Sequence, residues 1–120
     1  MANPNIVNVS QIYGKTKTAK LYTTNSDIVQ NVLSSGKIIK INAFYVANIN
    51  GTNAADVTVV HAGGDAGDCE LASTISVPAD ATLVLISKDA GIYLEEGQKL
   101  YAKASADSYL RVTCSYEEIS

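Results

Sequence analysis

Apolar and polar side chains alternate with a period of two along most of the chain, the period of extended backbone with one face turned to a core. Val, Ile, Thr and Tyr fill many of these positions, and all four favour strands. In "KIIKINAFYVANI" (37–49), Ile39, Ile41, Ala43, Tyr45, Ala47 and Ile49 share one side, which predicts the core face of a strand. The other side holds Ile38, Lys40, Asn42, Phe44, Val46 and Asn48. It is mixed and carries the only Phe, so it reads as an outer surface that meets a second chain. "NGTN" (50–53) predicts a tight turn with positive φ at Asn50-Gly51, and "AADVTVVHA" (54–62) returns as the second strand of a hairpin.

The same reading extends in both directions. "NIVNVSQIYG" (5–14) puts Val7 and Val9 on one face and Ile6 and Ile12 on the other, predicting an N-terminal arm or first strand over 1–14 ahead of a domain over 15–120. In "KTKTAKLYTT" (15–24), Lys15, Lys17 and Lys20 alternate with Thr, the composition of an edge strand in which Lys blocks unwanted pairing. The other reading of that stretch is a basic stripe for an acidic partner. "DIVQNVLSSGK" (27–37) is read as a strand, although its apolar spacing also fits a short helix. "CELASTISVP" (69–78) places Leu71, Ile75 and Val77 in phase before Pro78. "ATLVLISKD" (81–89) is apolar on both faces, as a central strand or one covered by a partner would be. "YLRVTCSYEE" (109–118) turns Leu110, Val112, Cys114 and Tyr116 inward and Tyr109, Arg111, Thr113 and Ser115 outward. About eight to ten short strands result, which predicts a single all-β domain, an antiparallel β-sandwich of jelly-roll-like form.

Composition narrows the classes of function. With 47% apolar and 18% charged residues in 120, the chain has enough core to fold and too little charge for a disordered segment. A net charge of −3 and a pI near 4.9 speak against nucleic acid as a partner, since phosphate binding needs clustered Lys and Arg. No apolar run approaches the ~18 residues of a membrane span. "MANPNIVNVS" lacks a basic segment followed by an apolar core, so synthesis in the cytosol without a signal peptide is expected. Cys69 and Cys114 are too far apart for a CxxC site and are expected to be free thiols, at least one of them buried.

The candidates for chemistry are few. His61 is the single histidine, with no GxSxG elbow for it to serve and no HxH pattern to hold a metal. Asp65, Asp68 and Glu70 lie in the Gly-rich "GGDAGDCE" but lack the spacing of a calcium loop. In "IYLEEGQKLY" (92–101), Glu95 and Glu96 are adjacent, whereas a carboxylate pair that cleaves a glycosidic bond must flank that bond. Gly97 permits a bend, so the stretch reads as the acidic tip of a hairpin. No catalytic residue, metal or cofactor is expected.

Three stretches, "NVSQIYGKT", "KINAFYVANINGTNAADVTV" and "VPADATLVLISKDAGIYLEEGQKLYAKASADSYLRVTCSYEEI", together resemble small β-rich virion structural proteins of tailed phages that infect marine cyanobacteria. The resemblance implies a non-enzymatic virion component made in the host cytoplasm, above all a capsid decoration or cement protein bound to the outer shell. Its implied partners are the major capsid protein or other virion proteins and further copies of itself, with a trimer favoured. A tail, neck or fibre component and a host-surface glycan-binding module are the alternatives. For the glycan reader, Tyr13, Tyr22, Tyr93, Tyr101 or Tyr109 would stack on sugars, and clustering at one loop end would favour it over a structural role. The interface candidates are Ile6, Val7 and Val9 of the arm, Lys15, Lys17 and Lys20, Phe44 and Val46, and Glu95 and Glu96.

Overall fold

The computed structural model describes residues 10–64, 67–87 and 91–120, which form nine strands and no helix. In chain order these are β1 (Ile12–Lys20), β2 (Ser26–Gln30), β3 (Ile38–Asn48), β4 (Ala55–Gly64), β5 (Gly67–Val77), β6 (Thr82–Ile86), β7 (Ile92–Leu94), β8 (Lys99–Ala104) and β9 (Leu110–Ile119). One sheet runs β1-β9-β3-β6 with β7 also on β3, and the other runs β2-β8-β4-β5. β6 pairs with Phe44–Ala47 and β7 with Ile39–Ile41, so together they line one side of β3 as a single interrupted strand. Four strands then face four, all antiparallel, and the chain changes sheet at nearly every connection. This is the jelly-roll arrangement of a sandwich, as the periodicity predicts.

The core lies between the sheets, where Ile39, Ile41, Phe44 and Val46 of β3 and Leu110, Val112 and Cys114 of β9 meet Val57 and Val59 of β4 and Leu100 and Ala102 of β8. β9 keeps the predicted alternation, with Leu110, Val112 and Cys114 buried and Tyr116 half-buried. β3 does not. Ile41 faces Tyr116 and Ala43 faces Ser115, so Asn42 is an extra residue in the ladder. A bulge of one residue exchanges the two faces of the strand beyond it. Ile39 and Ile41 point inward before the bulge, and Phe44, Val46 and Asn48 point inward after it, while Tyr45 and Ile49 are exposed. Phe44 and Val46 are therefore core residues at 0% exposure, which corrects their reading as outer contacts.

The expected hairpin at "NGTN" is also corrected. β3 and β4 belong to different sheets, and neither Asn50 nor Gly51 has positive φ. The corner is instead held by side chains. Asn50 Oδ1 accepts from the backbone N–H of Thr52 at 2.8 Å and of Asn53 at 2.7 Å, and Asn48 Oδ1 accepts from that of Asn50 at 2.9 Å. The hairpin between consecutive described strands is β4–β5, closed where Gly64 pairs with Gly67. β5 carries extra residues between Ile75 and Ala72 and between Ala72 and Glu70, and Thr74 has φ +47°; Ala72 and Val77 are buried, so Leu71 and Ile75, in phase with Val77 by sequence, stay exposed.

Edges complete the frame. β1 is an edge strand, as its lysines predict, and pairs with β9 along its whole length from Ile12 opposite Ile119 to Lys20 opposite Arg111. The strand crosses the expected 14/15 boundary, so Ile12–Gly14 belong to the domain. β6 is an edge as well, not a central strand, with Val84 exposed and Ile86 buried. β2 ends at Gln30, and Val32 and Leu33 beyond it are exposed.

Candidate functional site

The outer face of the β1-β9-β3-β6 sheet is an open surface spanning four strands. Register places Thr18, Thr113, Tyr45 and Val84 side by side across four strands, with Tyr45 and Val84 exposed. The next row is Lys20, Arg111, Ala47 and Thr82. A shallow depression of about 420 Å³ lies over the β1/β9 half of these rows, lined by Thr18, Ala19, Lys20, Arg111, Val112 and Thr113. The surface combines an aromatic ring, aliphatic side chains, three threonine hydroxyls and two cations. Tyr45 and Val84 escape a reading of sequence alone, because the bulge at Asn42 decides the face of one and pairing with β3 decides the face of the other.

The interface candidates are distributed over several surfaces. Ile6, Val7 and Val9 lie outside the described residues. Lys15 of β1 pairs with Glu118 of β9 at 3.1 Å, and Lys37 reaches the same carboxylate at 3.4 Å. Burial would raise the Glu118 carboxyl, but the Lys15 hydrogen bond and the charges of Lys37 and Lys15 hold it below its ordinary value. Lys15 is raised in turn, by its hydrogen bond to Glu118 and then by the carboxylate's charge. Lys17 and Lys20 are exposed and take part in no ion pair among the described residues. The predicted basic stripe is thus split: Lys15 is engaged within the chain, Lys17 lies on the same face, and Lys20 lies on the other.

"IYLEEGQKLY" bends but is not a hairpin, since β7 lies in one sheet and β8 in the other. The turn has Gly97 at φ +83°, with the Gln98 N–H donating to the Glu95 carbonyl oxygen at 3.0 Å. Glu95 is exposed, and Glu96 is half-buried with Oε2 3.4 Å from the Gly36 nitrogen. Buried Asn31 fixes the turn from below: its carbonyl oxygen accepts from the Gly97 N–H at 2.8 Å, and its Nδ2 donates to the carbonyl oxygens of Leu94 and Lys37, each at 2.9 Å.

The tyrosines are dispersed. Tyr13 and Tyr93 lie toward the sandwich end that carries the 31–37 and 95–98 loops, and Tyr22 and Tyr109 lie at the opposite end. Tyr101 is on the outer face of the second sheet, where its hydroxyl donates to Asp68 at 3.1 Å and Lys99 Nζ sits 5.9 Å from its ring centre. His61 is half-buried near Gly64. Cys69 is exposed on β5, Cys114 is buried on β9, and both are free thiols. Asp65 lies outside the described residues, among which no group of three His, Cys, Asp or Glu side chains is placed to hold a metal ion.

No family model matches the chain, and no curated protein matches it. Among solved structures, a chain from the disulfide-linked pili of Bacillus endospore appendages is similar in fold, with a TM-score of 0.53 over 92% of this chain and 87% of that chain. At 15% identity the likeness is one of fold.

Proposed function

We propose that the chain is a non-enzymatic structural subunit of a phage virion, a capsid decoration protein that binds the outer shell and associates with further copies of itself. The observation that carries this reading is the pairing of an open edge with an open face: among the described residues β1 has no partner on its outer side, and the sheet it borders exposes Tyr45, Val84 and Lys20 with half-buried Arg111 beside them. A subunit contact needs about 800 Å² per partner and a few well-packed side chains, not an enclosed pocket. Scattered tyrosines favour a structural role over a sugar reader. The segment 1–9, with Ile6, Val7 and Val9, directly precedes the β1 edge and is suited to strand addition on a neighbouring sheet. A tail, neck or fibre component is the second reading, favoured by the fold likeness to a pilus chain.

Cryo-electron microscopy of intact particles tests the assignment. Density for this fold over the shell lattice is the expected result; density confined to the tail or fibres replaces the first reading with the second. A chain of residues 10–120 is expected to fold yet leave shells undecorated, and full occupancy by that chain rejects the arm.

A further inference from the structure

Lys20 and Arg111 stand directly opposite each other, and their row continues through Ala47 and Thr82 without a carboxylate. Like charges in that position oppose sheet pairing. The ion pairs among the described residues are Lys15 and Lys37 with Glu118 and Lys99 with Asp27, so neither cation is neutralised within them. The Arg111 Nε is also withdrawn from solvent and has no acceptor among the described residues. A group with acceptor oxygens arriving from outside would remove both defects, and Thr18 and Thr113 add hydroxyls beside it.

The far end of the sandwich presents the complementary set. Glu95 is exposed on the 95–98 turn and forms none of those ion pairs. Val32 and Leu33, which follow Asn31 beneath that turn, are 56% and 77% exposed, and Leu33 lies against Gly97. The turn therefore offers an acid next to two aliphatic side chains, while the sheet face offers two cations next to Tyr45 and Val84. We infer that in the assembled protein Glu95 of a second copy docks between Lys20 and Arg111, with its Val32 and Leu33 against Tyr45 and Val84. The inference rests on the self-association proposed above and names its contact. Because the two surfaces differ, the contact is heterologous, and repetition closes a ring, a trimer included, or extends a filament.

Sedimentation velocity of the full chain across concentration and salt tests this. The wild type is expected to associate, less so at high salt, whereas K20E/R111E and E95K, each folded by circular dichroism, lose at least about tenfold in affinity. Mixing the two variants restores association, since each keeps the surface the other lacks. The neutral pair K20Q/R111Q gives the same loss if charge reversal perturbs folding. Unchanged association of these variants, equal loss in the control D80K, or no recovery on mixing overturns the contact and leaves the assembly reading standing. A wild-type chain that remains monomeric at every concentration overturns both.

Discussion

Asn48 donates its side-chain amide to the main-chain oxygen of Val77 at 2.9 Å, a buried bond that runs from β3 in one sheet to β5 in the other. The same Nδ2 reaches the Asn53 carbonyl oxygen at 3.0 Å, and Oδ1 accepts from the Asn50 N–H. One side chain thereby serves three backbone groups at the corner between the sheets. Asn48→Ala leaves the two carbonyls and that N–H without their partner and is expected to lower stability by about 1–3 kcal/mol in urea unfolding. Asn48→Asp should cost at least as much, because a carboxylate cannot donate to either carbonyl.

The bulge in β3 separates two adjacent aromatic residues with opposite surroundings. Phe44→Ala is expected to cost about 3–5 kcal/mol, the range for emptying a core aromatic site. Tyr45→Ser, on the exposed face, should stay within about 1 kcal/mol of wild type. Denaturant midpoints for the two variants decide it; equal losses would contradict the exchange of faces at Asn42.

Gly97 combines φ +83° with a Leu33 Cδ2 only 2.9 Å from the position a Cβ would take. Gly97→Ala pays for a left-handed backbone and a displaced Leu33, with an expected loss of about 1–2 kcal/mol from the backbone alone. Combining it with Leu33→Ala should recover only the steric part, measurable as incomplete additivity in thermal unfolding.

Stability at acid pH should depend on Glu118. Its carboxyl is held below the ordinary value, so its contribution is present above the unfolded carboxylate range and is lost as pH falls through the lower folded value. Denaturation midpoints of wild type and Glu118→Gln should differ at pH 7 and converge in strong acid. Coincident curves at both pH values would show that the Lys15–Glu118–Lys37 cluster adds nothing.

The two thiols should separate in reactivity. Burial pushes the Cys114 thiol up to about 12, while Cys69 is exposed on β5. A thiol reagent at pH 8 is expected to modify one cysteine fast, absent in Cys69→Ser, and the second only as the protein unfolds. Because the folded thiol titrates above the unfolded one, the Cys114 contribution is intact below the ordinary thiol range and declines as pH rises toward 12.

The alternation along β9 and the lysines of β1 sufficed to predict an inward face and an edge, because each is a local property of one strand. The turn at Glu95–Gln98 was legible for the same reason: Gly97 supplies the conformation the bend needs. Partner choice was not legible. "NGTN" carries the sequence of a hairpin turn, yet β4 finds β5 and β8 while β3 finds β9, β6 and β7. The apolar run of β6 fits a central strand equally well, and its edge position follows from where β3 runs out of partners.

Composition and period two, then, dictated an all-β sandwich with a buried face on most strands, since burying one side of extended backbone needs no knowledge of its neighbours. The direction in which Phe44, Tyr45 and Val46 point was settled only in the folded sheet. A bulge exists in the pairing of two strands, and Asn42 becomes the extra residue only when Ile41 and Ala43 face Tyr116 and Ser115 of β9. That single step buried Phe44, Val46 and Asn48, which alternation had placed outside, and uncovered Tyr45 beside Val84, Lys20 and Arg111.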